Sequence, residues 1–275
     1  MKILLYSFIT TVLVVSCNKN NENPKVSFKE ASVNLSTHKL STFSISNNSK
    51  YFLVFESGLG DSHSVWNEKN IVEEMSKTCD VLLYDRAGYG NSETGPVPRN
   101  IDRLSAELDS VLNLLLSNRK AILIGHSLGG MVIRDYAIKN PDKTAALLFV
   151  DPSHEYYNHP SQSDEDMIYN SFSSAYGAKN GATMEARELI EDSQYLETLP
   201  DLPNIPVIVI TSMKTDASHS SADRKVWFDA HELLKNGITD FTHVITSKSG
   251  HYIMRDEPKL IVDHLKLLIA KLPNN

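Results

Sequence analysis

The sequence predicts an α/β fold, a mostly parallel central sheet covered on both faces by helices. Two observations carry that prediction. Short runs that are apolar at every position recur along the chain, as strands buried on both faces require; Tyr51-Phe52-Leu53-Val54-Phe55 and Ala121-Ile122-Leu123-Ile124 are examples. Between them lie segments with apolar residues three and four apart, the spacing of a helix with one inward face. Alternation of this kind makes layered α/β units.

The first 25 residues stand apart from that pattern. Lys2 precedes the apolar run Ile3 to Val15, too short to span a bilayer comfortably and of the length of a signal-peptide core. The run ends in Val14-Val15-Ser16-Cys17, which resembles the bacterial lipoprotein cleavage box. That resemblance implies a signal peptide over 1–16, a lipid on Cys17, and a tether over 17–25 whose polar, turn-rich stretch is Asn18 to Pro24. The expected location is then the bacterial cell envelope, outside the cytoplasm, with the membrane as a partner. An ordinary secretory signal with an incidental cysteine would give a secreted or periplasmic protein instead. Cys79, the second of two cysteines, reads as a small core residue that supports no disulfide framework.

The fold is expected over 26–275. Val26 to Leu35 and Leu40 to Ser46 alternate loosely and predict an opening hairpin. Strands follow at Tyr51–Phe55, Val81–Tyr84, Ala121–Ile124, Ala146–Val150, Pro206–Ile210 and His243–Thr246. The clearest helix has Ile101, Leu104, Leu108, Val111, Leu112 and Leu115 on one face. Another carries Met131, Val132, Ile133, Tyr136 and Ala137, and the last runs from Leu260 to Leu272 behind Glu257-Pro258. From 154 to 203 the chain turns rich in Ser, Asn, Tyr and acidic residues, with helices expected at Asp164–Phe172 and Ala182–Leu196. This segment is too long for a crossover and reads as a cap over the carboxyl edge of the sheet; a surface insertion without substrate contact is the plainer alternative.

Chemistry is concentrated at Gly125-His126-Ser127-Leu128-Gly129-Gly130, between a strand and a helix. A serine hydroxyl is a poor nucleophile and needs a strained, exposed turn, a nearby base and oxyanion donors. G-x-S-x-G alone arises by chance in roughly one chain of this length in ten; the strand and helix legible on either side give it meaning. The glycines two before and two after Ser127 let the two backbones approach, and the N–H of Leu128 opens the helix where a developing negative charge would be stabilised. The ring of His126 should point away from the nucleophile and pack.

Four places in order resemble the α/β-hydrolase superfamily from about Tyr51 to the C-terminus: the elbow at Ser127; Glu56-Ser57-Gly58-Leu59-Gly60-Asp61, similar to the family's oxyanion loop; Tyr84-Asp85-Arg86-Ala87-Gly88-Tyr89-Gly90-Asn91-Ser92, similar to its D-x-x-G-x-G-x-S turn; and Ser249-Gly250-His251-Tyr252 before Asp256-Glu257-Pro258, the setting of its histidine. The resemblance implies an α/β-hydrolase fold with a helical cap insertion, Ser127 as nucleophile, His251 as base, and the N–H groups of Leu59 and Leu128 as oxyanion donors. Asp85 and Arg86 are expected to pin a turn. The acid has two candidates. Most of the superfamily places it after the strand ending at Ile210, where this chain has Thr211-Ser212-Met213-Lys214-Thr215-Asp216; Asp151, directly after Val150, is the other. The unusual form of the first loop tips the choice to Asp151, although an aspartate before Pro152 can simply shape a turn.

These readings predict a serine hydrolase acting on a small-molecule carboxylic ester, or an amide, of a small to medium organic acid, with no cofactor. A C–C bond hydrolase or an N-terminal aminopeptidase on the same triad is an alternative, the latter drawing an acidic recognition group from Glu155, Asp164, Glu165 or Asp166. A non-catalytic lipid-anchored binding protein is another. Ser127 in the elbow excludes an aspartate nucleophile. His154 with His159, or His219 beside Asp223, make no convincing metal set, and Gly58-Leu59-Gly60 lacks the third glycine and acidic partner of a dinucleotide site. Of 275 residues, 41% are hydrophobic and 22% charged, and the net charge of −7 argues against a nucleic-acid surface. A monomer is expected.

Overall fold

The computed structural model describes residues 27–157 and 159–273; the leader, Cys17 and the tether lie outside them. Eight strands form one sheet: β1 (Lys29–Asn34), β2 (Lys39–Ile45), β3 (Phe52–Glu56), β4 (Asp80–Tyr84), β5 (Ala121–His126), β6 (Thr144–Val150), β7 (Val207–Ser212) and β8 (Phe241–Thr246). Their spatial order is β1-β2-β4-β3-β5-β6-β7-β8. The opening hairpin pairs antiparallel, internally and against β4, and every other pairing is parallel. After β3 the chain steps outward to β4, then crosses back to β5 on the other side of β3. Strand order therefore reverses between β3 and β5, and their carboxyl ends open the crevice such sheets use for ligands.

The helices are α1 (Ile71–Met75), α2 (Ile101–Leu115), α3 (Leu128–Lys139), α4 (Gln162–Tyr176), α5 (Gly181–Glu185), α6 (Leu189–Glu197), α7 (Ser221–Glu232), α8 (Ile253–Asp256) and α9 (Pro258–Ala270). Successive strand residues point to opposite faces, which explains why the inner strands β3 to β7, buried at every position, are largely apolar while the edge strands β1 and β8 are not. Val54, Leu82, Leu123, Leu147 and Val209 join α2 and α3 in one core layer. Leu53, Phe55, Val81, Leu83, Ile122, Ile124, Leu148 and Ile210 join α1 and α9 in the other. At about 1.5–3 kcal/mol for each fully buried aliphatic or aromatic side chain, these two layers hold the frame on which the loops are mounted. The stripe of α2 faces inward as its spacing requires, and the Asn100 side chain caps its start by accepting from Arg103 N–H at 3.1 Å.

Two features differ from the sequence reading. The single helix expected over Ala182–Leu196 is two, α5 and α6, separated at 186–188, where Glu188 leaves helical geometry (φ −113°, ψ 6°). Each piece carries its own buried carboxylate contact to the body: Glu185 to Arg86, and Asp192 Oδ1 accepting from Ile101 N–H at 2.7 Å. The short α1 and α8 and the longer α7 were not anticipated at all. Among the described residues, no helix is long and apolar enough to cross a membrane.

Candidate active site

Ser127 links β5 to α3 with φ 52° and ψ −124°, a backbone that costs an L residue about 1–3 kcal/mol and persists only when its surroundings impose it. They do. The Ser127 carbonyl accepts from Gly130 N–H at 2.8 Å and Ser153 N–H at 3.0 Å. A Cβ on Gly129 would lie 2.5 Å from the Glu56 carbonyl oxygen, and one on Gly125 would lie 2.6 Å from that of Gly129. Only glycines allow α3 to start this close to β3 and β5. Leu128 is the first residue of α3, so its N–H has no partner within the helix and lies at the positive end of the helix dipole.

The peptide joining Gly58 to Leu59, where the resemblance places a second donor, is oriented by Arg86. Its guanidinium donates to the carbonyls of Ser57 (2.6 Å) and Gly58 (2.9 Å) and is held by Glu56 Oε1 (2.7 Å) and by both oxygens of Glu185 (2.8 and 2.9 Å). In a trans peptide the carbonyl and the N–H point in opposite directions. Fixing the Gly58 carbonyl on Arg86 therefore turns the Leu59 N–H the other way, on a loop whose Gly58 sits against Ser127: a Cβ there would be 3.2 Å from Ser127 Cβ. Burial pushes the Glu56 carboxyl up, against the pull of Arg86. Asp85 serves the same turn structurally, accepting from the backbone and ring nitrogens of His63 at 2.9 and 2.8 Å.

His251 and Asp151 meet across 100 residues of sequence. His251 Nδ1 donates to Asp151 Oδ2 at 2.7 Å. The other oxygen, Oδ1, accepts from Ser212 N–H at 2.8 Å and Trp227 Nε1–H at 2.7 Å. Burial alone would raise this carboxyl, but the hydrogen bond and charge of His251 outweigh it and hold it below the ordinary carboxylate range. The His251 loop is docked beside the elbow: His126 Nε2 donates to the His251 carbonyl at 3.0 Å, the two rings lie 4.6 Å apart, and Ser212 Oγ donates to the Ser249 carbonyl at 2.7 Å. Burial, then the neighbouring His251, push His126 well below 6.5, so it is a neutral packing ring as its position in the elbow suggested.

Ser127, Asp151 and His251 thus stand on loops converging at one sheet edge. Asp216 does not join them. It accepts from Ser218 N–H, His219 N–H and His219 Nδ1 at 2.7, 2.9 and 2.8 Å, and its side chain is 46% exposed. Nor do the histidines set aside as ligands assemble: among the described residues no group of three or more His, Cys, Asp or Glu could hold a metal ion. Sequence reasoning missed Ser153, whose Oγ lies 3.4 Å from that of Ser127, and also Glu185, Ser212 and Trp227. The signal for the last was the Ser220-x-x-Asp223 capping box that opens α7.

Residues 51–180 match a protein-family model described as the alpha/beta hydrolase fold. An uncharacterised protein of Bacillus subtilis (strain 168), YqjL, is 24% identical over 213 residues, covering 76% of this chain and 79% of its own. The pimeloyl-[acyl-carrier protein] methyl ester esterase of Proteus mirabilis (strain HI4320) is 33% identical over 101 residues, 37% of this chain and 36% of its own. The crystal structure of the epoxide hydrolase VrEH1 from Vigna radiata superposes with a TM-score of 0.72 over 90% of this chain and 99% of that one, at 14% identity.

Proposed function

We propose that this chain, whose residues 51–180 match a model of the alpha/beta hydrolase fold, is a serine hydrolase of the α/β-hydrolase superfamily with Ser127 as nucleophile, His251 as base and Asp151 as acid. The observation that carries this reading is the 2.7 Å hydrogen bond from His251 Nδ1 to Asp151, on a loop bonded to the residue before Ser127. It fixes the ring proton on Nδ1 and makes Nε2 the basic nitrogen. Ser127 Oγ adds to the acyl carbon as His251 Nε2 takes its proton. Leu59 and Leu128 N–H groups stabilise the oxyanion, at about 3 kcal/mol for each donor. Collapse expels an alcohol that regains the proton from His251. Water, deprotonated by the same nitrogen, then releases the acid and restores Ser127.

The substrate we propose is a carboxylic ester of a small to medium organic acid. The partial likeness to a methyl ester esterase supports that class. Amine recognition finds less support, because each candidate acid is bound to protein donors. Glu155 takes two contacts from Arg134, at 2.8 and 2.7 Å, Asp164 caps α4 through Ser161, Asp166 pairs with Arg187 at 2.5 Å, and Glu165 accepts from Ile190 N–H at 3.1 Å. Short-chain p-nitrophenyl esters test the reading: turnover by the folded parent, lost on Ser127→Ala, is the expected result. A folded parent that hydrolyses none of a panel of acyl chains contradicts it.

We further propose that the protein is a monomer held at the bacterial envelope through Cys17. Cys17→Ser should then move it from the membrane fraction to the soluble one, and a distribution unchanged by the substitution would count against the anchor.

A further inference from the structure

The acid of the proposed triad is held by more than its histidine. Asp151 has φ 44°, a left-handed backbone that residues with a Cβ seldom adopt. Helix α7 lies against this turn and presents two ring N–H groups one helical turn apart. Trp227 Nε1 donates to Asp151 Oδ1 at 2.7 Å, and His231 Nε2 donates to the carbonyl of the next residue, Pro152, at 2.7 Å. Both rings are buried. A carbonyl can only accept, so the His231 proton is on Nε2, and Nδ1 accepts from Thr211 Oγ1 at 2.6 Å. The ionisable groups facing His231 are Asp151, His154 and His243; burial, helped by the two histidines, outweighs Asp151 and the Pro152 contact and pushes its imidazole down to about 3, so this contact keeps its proton through the neutral range.

Oδ1 of Asp151 shares its charge between two donors, Trp227 and Ser212, while Oδ2 faces His251 alone among the contacts described above. Each donor on Oδ1 draws charge from the oxygen that pairs with His251. We propose that α7 is a two-point clamp on the acid, in which Trp227 and His231 are positioning residues: Trp227 sets how strongly Asp151 pulls on His251, and His231 fixes the turn from which Asp151 projects. The clamp rests on the serine-hydrolase reading above.

Trp227→Phe keeps the aromatic bulk and removes the N–H. The carboxylate left with one donor fewer on Oδ1 becomes more basic and favours the protonated His251 ring. The expected result is a kcat lower by about tenfold with KM within about twofold, and an acid limb of the kcat/KM profile moved to higher pH by about half a unit. The Cε1 resonance of His251, assigned with His251→Gln, should titrate at higher pH in the same variant. That resonance needs no turnover, so an inactive parent whose His251 titration still moves in W227F sinks the hydrolase reading and keeps the clamp. An active parent with kcat and titration both unmoved in W227F overturns the clamp. The second arm is read by His231→Gln, whose amide can still donate to Pro152, against His231→Phe, which cannot. H231Q should stay within about threefold of the parent and H231F fall about tenfold. If W227F does not fold, equal activities in H231Q and H231F overturn the clamp.

Discussion

Asp151 and Asp216 follow neighbouring strands, and both carry three hydrogen bonds. They differ in where the donors come from. The donors to Asp151 belong to the end of β7, to α7 and to the loop after β8, and the carboxylate is fully buried. Those to Asp216 all lie within three residues of it, and half of the side chain faces solvent. Local donors can satisfy a turn without reference to the rest of the fold. Donors gathered from three distant elements cannot meet unless the whole framework holds a charge at that point, which is what orienting a histidine requires.

The largest expected separation between the two is kinetic. Asp151→Asn should lower kcat by on the order of 10⁴-fold with little change in KM, because the amide favours the wrong His251 tautomer; steady-state ester kinetics read it. An Asp151→Asn enzyme within tenfold of the parent would end the contrast. A second test carries the same logic to Arg86, a buried charge whose five contacts come from β3, the loop behind it and α5. Arg86→Met leaves Glu56 and Glu185 without their cation and should cost about 3–5 kcal/mol in urea unfolding. Arg187→Met, which removes an exposed pair with Asp166, should shift the midpoint far less.

Acid stability sharpens the comparison further, because buried neutral histidines surround Asp151. Burial pushes His154 and His231 to about 3 and His126 well below 6.5. Between about pH 6.5 and 3 the unfolded chain takes up protons at these positions that the folded one refuses, so stability falls as pH falls through that window. Each histidine contributes up to about 1.4 kcal/mol per pH unit. Urea midpoints should therefore drop steadily below pH 6.5, and His231→Gln should flatten the slope by about one such increment. Asp151 adds the usual stabilisation of a lowered carboxyl, fully present above its unfolded value and lost only as pH falls below about 4. The smallest effect is expected at the other aspartate: Asp216→Asn should leave kcat within about twofold, since an exposed contact of this kind contributes little.

The inner strands were legible because burial on both faces makes nearly every position apolar, and α2 because one face of it is. Ser127 drew attention because a strained turn needs glycines at fixed offsets, and His251 because it lies on the loop after a late strand and before the final helix. The acid stayed open because Asp-Pro also shapes turns, and only the arrival of Ser212, Trp227 and His251 from elsewhere distinguishes the two roles. Helix α7 escaped notice because it buries only Arg224, Trp227, Ala230 and His231, too short and too polar a stripe to read as periodic. The break between α5 and α6 at 186–188 was hidden for a related reason: Glu185 and Asp192 look like surface acids until their buried partners on other elements are known.

Covalent labelling reads the two aspartates at the reacting serine itself. The parent, D151N and D216N would be treated with a fluorophosphonate, and adduct formation followed by intact mass with the site mapped by peptide digestion. The account predicts one adduct, on Ser127, forming as fast in D216N as in the parent and slower by about a thousandfold or more in D151N. An adduct on another residue, no adduct on the folded parent, or equal rates in all three proteins would contradict it.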